Sequence, residues 1–542
     1  MAQLKVLRRV LTIAHISRIA RCGAPRSLFS AFALLLLAGS SLAQCPKRPD
    51  PGSLVHNPLE LISRNGVLKA ELSMRHSVDD QGYNHYCYDY KTAKGEVEEP
   101  TLRLKQGDTL QLDIKDRIED MDDAGLEDMS MAGMPGKVCG DTGKMTLRST
   151  NVHFHGLNVP PVCHQDDVLT TLIQPNSRPF PFKLQIPKDE PPGLYWYHPH
   201  VHGFTEFQVN GGAAGAIVVD GMEKFRPEVA GLAERIFVIR QQFLVPWVPG
   251  PYQLTINNQV ADYPHMRSPI IQMKTGEKQF WRVVNATLQD FLQLQVLAGG
   301  KPEKLQLIAL DGYPLGKPRD EDVILLPPAG RAEFIVEAPP KGDYSIFQTQ
   351  AYSTGPTGNP DLEQTLAQIE VKDVPADGAP VPVRPLTAGK IKFADLASQK
   401  VTANRKLYFS EQFGGTNGPI QFYITVDGQK EKVFEPNEKP AITTKVGAVE
   451  DWTVENRAFE THAFHIHQIH FKILEVDGKP VQNQDMRDTI EIPYWEGPGH
   501  PYHSVKMRMD FRDPTIAGMF VFHCHILLHE DLGMMHKILV KR

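Results

Sequence analysis

Pro100-Thr101-Leu102-Arg103-Leu104-Lys105-Gln106-Gly107 recurs as Pro269-Ile270-Ile271-Gln272-Met273-Lys274-Thr275-Gly276 and again as Pro440-Ala441-Ile442-Thr443-Thr444-Lys445-Val446-Gly447, at spacings of 169 and 171 residues. A repeat at a fixed long period sets the architecture before any single residue does. Each copy runs past its glycine into an alternating apolar stretch that ends at Asp116, Asn285 or Asn456. Alternation, a glycine turn and renewed alternation read as strand, turn, strand. A second element repeats as well: Gly193-Leu194-Tyr195-Trp196-Tyr197-His198-Pro199-His200 resembles Gly518-Met519-Phe520-Val521-Phe522-His523-Cys524-His525, with Gly342-Asp343-Tyr344-Ser345-Ile346-Phe347-Gln348-Thr349 between them as the same strand without histidines.

Units of about 170 residues, rich in short strands, glycine and proline, point to an all-β chain of three Greek-key β-sandwiches. The expected division is residues 1–43 as a leader, 44–222 as the first sandwich, 223–385 as the second with its linker, and 386–542 as the third. Pro375, Pro380, Pro382 and Pro385 mark residues 374–387 as that linker, because proline stiffens the chain and withholds ladder hydrogen bonds.

The leader reading rests on six cations, from Lys5 to Arg26, that precede an uncharged apolar run, Leu28 to Ala43, ending in Ser41-Leu42-Ala43. This is the pattern of a secretory signal peptide, so the expected location is periplasmic or secreted. Its Arg8-Arg9 pair leaves the twin-arginine and general export routes both open. No later stretch reaches the roughly 18 continuous apolar residues of a spanning helix, so no transmembrane anchor is expected. Beyond residue 43 the chain carries 52 Lys and Arg against 64 Asp and Glu. An acidic body lacks the basic footprint that displaces counterions from phosphates, which excludes nucleic acid as a partner.

Of the 21 histidines, ten fall in four short clusters: His153-Phe154-His155, His198-Pro199-His200, His462-Ala463-Phe464-His465-Ile466-His467, and His523-Cys524-His525 with His529. Residues two apart on a strand share a face, so each H-x-H pair aims two imidazoles at one point. Imidazole suits copper, zinc, iron and nickel. One such pair occurs by chance in surface strands; four pairs confined to the first and last units indicate metal centres. In the last cluster, alternation sends His523 and His525 to one side and Cys524 to the other, so one tripeptide reaches two sites. Cys524, His529, Met534 and His462 together supply the thiolate, two imidazoles and weak axial thioether of a blue-copper electron-transfer site. The competing reading, a buried Cys and Met that merely pack, leaves the spaced histidines unexplained. With Cys524 assigned to metal, Cys45, Cys87, Cys139 and Cys163 remain, an even number for two disulfides in any of three connectivities.

On these motifs the chain resembles the multicopper oxidases, the laccase-like family of three cupredoxin domains, over essentially all of its length after the leader. The resemblance implies four copper ions. It makes His462, Cys524, His529 and Met534 ligands of the type 1 copper, and His153 and His465 ligands of the type 2 copper. The same resemblance gives His155, His198, His200, His467, His523 and His525 to the type 3 pair. It implies an enzyme that couples four one-electron oxidations of phenols, aromatic amines or metal ions such as Cu(I) to the reduction of O2 to two waters. The family places an acid near the trinuclear cluster at the position of His164 here; Asp166 and Asp167 follow, and Asp167 is assigned that proton-delivering role. Glu530, beside His529, matches the second family acid.

Two other readings use the same fold. A copper nitrite reductase does not need eight trinuclear histidines, and a non-catalytic storage or scaffold protein is expected to have lost ligands that this chain retains. Six acids and Met121, Met129, Met131 and Met134 lie between Glu119 and Met134. Soft thioethers select Cu(I), so this stretch is a candidate for cuprous-ion capture, although such stretches are more often solvated acidic loops.

Overall fold

A computed structural model describes residues 44–78, 84–118, 138–242, 253–260, 267–373, 378–383, 391–414 and 420–542. The leader, the methionine-bearing stretch 119–137 and much of the linker lie outside the described residues. Each repeat resolves into two strands that do not pair with each other. Thr101–Lys105 joins one five-stranded sheet and Thr109–Asp116 a second one. Ile270–Met273 and Lys278–Ala286 divide in the same way, as do Ile442–Lys445 and Ala448–Asn456. The repeat is therefore the corner at which the chain crosses from one sheet of a sandwich to the other, not a hairpin. The turn needs a left-handed residue, and Gly107, Gly276 and Gly447 supply it with φ of 85°, 70° and 94°; only glycine adopts that region at little cost.

The pairing is conserved along with the corner. Thr101–Lys105 runs parallel to Gly215–Asp220, Ile270–Met273 to Gln364–Val371, and Ile442–Lys445 to Met535–Lys541. Strands from Glu60 to Asp220, from Ala233 to Val371 and from Ala403 to Lys541 thus form three pairs of sheets, each closing over its own apolar core. These are cupredoxin-like β-sandwiches. The seam between the first and second is ionic: Arg103 pairs with Glu60, Asp220 and Glu234, and Arg282 pairs with Glu234 and Glu333.

Gly193–His198 lies antiparallel to His153–His155, and Gly518–Cys524 to His462–Ile466. In the middle unit Ser345–Gln350 pairs likewise with Leu292–Ala298, but there Gln295 accepts hydrogen bonds from Gln348 and Gln350. Glutamines that satisfy one another occupy the region where the outer units present imidazoles.

The four remaining cysteines join as Cys45–Cys87 and Cys139–Cys163, leaving Cys524 as the free, buried cysteine among the described residues. The loops close over sequence separations of 42 and 24 residues. Loop-closure entropy predicts that serine at both Cys45 and Cys87 costs about 4 kcal/mol of stability, and at both Cys139 and Cys163 about 3.5 kcal/mol. Denaturant melts of the two double variants check this, and a loss under about 1 kcal/mol in either would contradict the entropic account.

Candidate metal centres

Strand alternation separates two groups of donors. Cys524, on the opposite face from its histidine neighbours, has its Sγ 3.6 Å from His462 Nδ1 and 3.9 Å from His529 Nδ1, and the two nitrogens are 3.3 Å apart. All three side chains are buried. His529 stands on the short helix Leu527–Asp531 that follows the strand. The chain then returns so that Met534 N–H donates to the His529 carbonyl and Cys524 N–H to the Met534 carbonyl. Met534 is fully buried in the same core as Cys524. Burial raises the Cys524 thiol well above its ordinary range, so a metal bound there must displace a proton.

The second group brings eight imidazoles from the first and third sandwiches face to face. His153 stacks on His467 with ring centroids 3.8 Å apart, and His155 stacks on His465 at 4.0 Å. Within each sandwich, His153 lies opposite His198 and His465 opposite His523 in register. Donor atoms converge within 4.8 Å in the sets His153/His465/His467, His153/His155/His198 and His200/His467/His523.

Backbone and carboxylate partners hold most of these rings from behind. His198 Nδ1 donates to the Pro199 carbonyl at 2.8 Å, His465 Nδ1 to the Asp488 carbonyl at 2.8 Å, and His523 Nδ1 to the Cys524 carbonyl at 2.9 Å. His153 Nδ1 meets Asp166 at 3.0 Å. His155 is held the other way round, its Nε2 lying 3.3 Å from Asp488 Oδ1. Burial keeps the rings neutral, lowering His523 to about 4 and, together with the neighbouring His523, His198 to about 3.

Gly156, which follows His155, is required by space as well as by its φ of 88°: a Cβ there would lie 2.5 Å from Arg331 Nη2 and 2.8 Å from Asp488 Oδ2.

Of the two acids read from sequence, Glu530 lies at the cluster. Its carboxylate oxygens are 3.4 Å from His200 Nδ1 and 3.3 Å from His523 Nδ1, it accepts from Thr205 Oγ1, and burial raises its pKa well above the ordinary value. The contact expected of Asp167 falls instead on Asp166. Asp167 turns away to accept from the amide and hydroxyl of Thr170. Asp166, pushed up to about 8 by burial, accepts from Phe154 N–H, His153 and Gln468 Nε2. A loop has no period, so adjacency in sequence did not say which carboxylate faces inward.

Three further contributors carried no sequence signal. Arg331 reaches in from the middle unit and grips Asp488 through both nitrogens, at 2.7 and 2.5 Å. Glu411 Oε1 lies 3.4 Å from His462 Nε2, and Glu460 Oε2 lies 3.5 Å from His529 Nε2. Of the histidines left unassigned, His470 donates to the Asp311 carbonyl, whereas His202, buried beside His200, has no hydrogen-bond partner on either ring nitrogen.

Three cupredoxin-like sandwiches, with a buried cysteine–imidazole triad wired through one tripeptide to an eight-imidazole cluster, define a copper redox protein. Profiles described as multicopper oxidase match residues 144–224, 237–373 and 413–542. The chain belongs to the multicopper oxidase family, enzymes that couple substrate oxidation to O2 reduction. It is 23% identical over 491 residues to a multicopper oxidase of Staphylococcus haemolyticus, covering 85% of this chain and 90% of that one. It is 21% identical over 405 residues to a laccase of Bacillus subtilis, covering 65% and 72%. Among solved structures, a Campylobacter jejuni multicopper oxidase described as a metallo-oxidase superposes with a TM-score of 0.64 at 23% identity, covering 91% of this chain and 96% of that one.

The residues fit copper. A buried polar atom with no partner costs about 1–3 kcal/mol. Yet His153 Nε2, His155 Nδ1, His198 Nε2, His465 Nε2 and both nitrogens of His525 are buried without a hydrogen-bond partner. Lone pairs left unpaired around one point are explained by a metal that takes them up, and neutral imidazole is the form that binds. No helix among the described residues is long and apolar enough to cross a membrane.

Proposed function

We propose that the chain is an exported four-copper oxidase. His462, Cys524, His529 and Met534 hold the type 1 ion, His153 and His465 the type 2 ion, and His155, His198, His200, His467, His523 and His525 the type 3 pair. The single observation that carries this reading is the His523-Cys524-His525 tripeptide, which puts a thiol in one donor set and its two flanking imidazoles at the other, His523 among the converging donors and His525 with its ring centroid 5.2 Å from that of His155. Copper bound at these ligands would supply one-electron exchange at the cysteine site and reduction of O2 to two waters at the imidazole cluster. The chain does the rest. The tripeptide is the covalent path between the two sites, burial excludes bulk water, and Asp166 and Glu530 are carboxyls able to hold protons beside His153, His200 and His523. Two disulfides support a periplasmic or secreted location, since such bonds persist in oxidising compartments. The domain division at about residues 222 and 385 belongs to this proposal.

The reductant is a cation by this reading, a metal ion such as Cu(I), ahead of a neutral aromatic amine or phenol. His462 and His529 point their outer nitrogens at Glu411 and Glu460. Burial and the adjacent Glu411 push the Glu460 carboxyl up to about 8, so near neutral pH Glu460 keeps a proton, which an arriving cation would displace to pair with the carboxylate. The test is O2 uptake by the copper-loaded protein with Cu(I) and with a dimethoxyphenol. E460Q should lower kcat/KM for Cu(I) about tenfold, the scale of one charged hydrogen bond, and leave the phenol nearly unchanged. Equal losses for both donors would overturn the cation preference, and no uptake with any donor would favour a storage protein.

A further inference from the structure

A cavity of about 410 Å³ lies at the seam between the first and middle sandwiches, lined by the segment Pro49 to Pro58, by Glu98 and Glu99, and by Arg240, Asn258 and Gln259. None of these residues belongs to either copper-ligand set. Ligand sites are concave, fall in the range of roughly 300–1,000 Å³, favour domain boundaries and carry a few well-placed polar groups. This cavity meets each of those conditions, and its polar groups are unusual.

Arg240 is 2% exposed, and one of its terminal nitrogens, Nη2, donates to the Ala214 carbonyl. Its Nε and Nη1 have no hydrogen-bond partner. Burial and the neighbouring Arg48 lower its pKa, although Glu99 and Glu98 act in the opposite sense. Neither carboxylate relieves it by contact. Glu98 is paired with His85 at 2.9 Å and Arg48 at 3.7 Å. Glu99 accepts from Tyr88 N–H and from Asn258 Nδ2, and the same Asn258 amide donates to Glu98. That leaves Asn258 Oδ1 as a buried acceptor with no donor. A buried guanidinium with free N–H groups costs free energy unless it is paired. The other walls are satisfied: Asn257 and Gln259 spend their amides on the His56, Ile236 and Leu54 carbonyls.

We propose that this cavity binds a small organic carboxylate, its anionic end on the free Nη1 of Arg240 and a hydroxyl or amino donor at its other end on Asn258 Oδ1, as in a short hydroxy or amino acid. Guanidinium is the side chain best matched to a carboxylate. The orphaned acceptor across the cavity accounts for a donor on the same ligand, which a plain fatty acid lacks. The site is separate from the oxidase chemistry and stands or falls without it.

The experiment is calorimetric titration of the copper-loaded protein with lactate and with acetate, repeated on R240Q and N258L. Lactate should bind saturably and about tenfold more tightly than acetate, the difference one buried hydrogen bond makes. R240Q should weaken both by about thirtyfold or more, as loss of a charge-assisted contact does. N258L should remove the advantage of lactate over acetate. A carboxylate bound at copper would be unaffected by either substitution, so equal binding by wild type and R240Q overturns the proposal. Absence of saturable binding by both probes up to about 50 mM, a concentration that detects even millimolar affinity, overturns it as well. If R240Q does not fold, N258L decides: retention of the lactate preference counts against the site.

Discussion

Arg331→Met is expected to cost about 3–5 kcal/mol of stability, the scale for breaking one side of a buried ion pair. Arg331 comes from the middle sandwich, on the strand Arg331–Glu337, and is fully buried. Its guanidinium grips Asp488, which stands just before the strand Thr489–Ile492 of the third sandwich. Asp488 in turn faces His155 of the first sandwich and, through its carbonyl, His465 of the third. Asp311 braces the arrangement by accepting from the Arg331 amide at 2.9 Å and from Arg487 Nε at 2.7 Å. One ion pair thus ties all three units together behind the imidazole cluster, which gives the middle unit, whose strands carry no H-x-H pair, a part in the metal centre.

The pH dependence has a definite sign. Burial alone would raise the Asp488 carboxyl, but Arg331 overrides it and holds the group well below the ordinary carboxylate range. A depressed carboxyl contributes stability that is fully present above its unfolded pKa, near 4, and is lost as pH falls below it. Without Arg331, burial leaves the Asp488 carboxyl raised in the variant, so the gap between wild type and R331M in denaturant melts of the copper-free protein should be largest at neutral pH and above and should narrow as pH falls, beginning above about pH 4. Adding Asp488→Leu to R331M should restore part of the loss, because the uncompensated charge disappears with it. A deficit under about 1 kcal/mol at neutral pH, or one that widens in acid, would show that the pair does not act as a keystone.

The repeats and the histidine spacing made the fold and most of the metal centre legible in the sequence, and for identifiable reasons. The corner glycines recur because a left-handed turn tolerates little else, and the H-x-H pairs converge because side chains alternate along a strand. Cys524 parts from its neighbours by the same alternation. What was not legible depends on contacts between distant segments or on loops without a period. Arg331 and Asp488 are separated by 157 residues, and Asp488 sits between Arg487 and Thr489 with no spacing to mark it. Glu411 and Glu460 gave no sign in sequence that they would frame the two outer imidazoles. The four cysteines were consistent with three pairings until the backbone placed Cys45 beside Cys87. Asp166 and Asp167 are indistinguishable as letters, and only the turn at Thr170 separates the carboxylate that caps it from the one that meets His153.

Cys524→Ser should reduce O2-coupled turnover at least about a thousandfold, equivalent to some 4 kcal/mol of barrier, while leaving the fold intact. Serine is nearly isosteric with cysteine, and a hydroxyl in place of a buried thiol asks for one hydrogen bond, a cost of about 1–3 kcal/mol where none is found. Its chemistry is another matter. A hydroxyl is far less acidic than a thiol and offers a hard oxygen where Cu(I) and Cu(II) thiolate sites use soft sulfur. His462 and His529 alone, with their nitrogens 3.3 Å apart, are then left with two imidazoles and a weak thioether. On the proposed four-copper reading, the expected result is loss of one copper in four and of the intense visible absorption of a copper–thiolate bond, with the imidazole cluster still loaded and far-ultraviolet circular dichroism unchanged. Copper content and absorbance read the site directly, so a fall in turnover caused by misfolding is told apart from one caused by the missing ligand. Turnover within tenfold of wild type would mean that electrons reach the imidazole cluster by a path that bypasses residue 524, and the tripeptide would lose its place as the connection between the two centres.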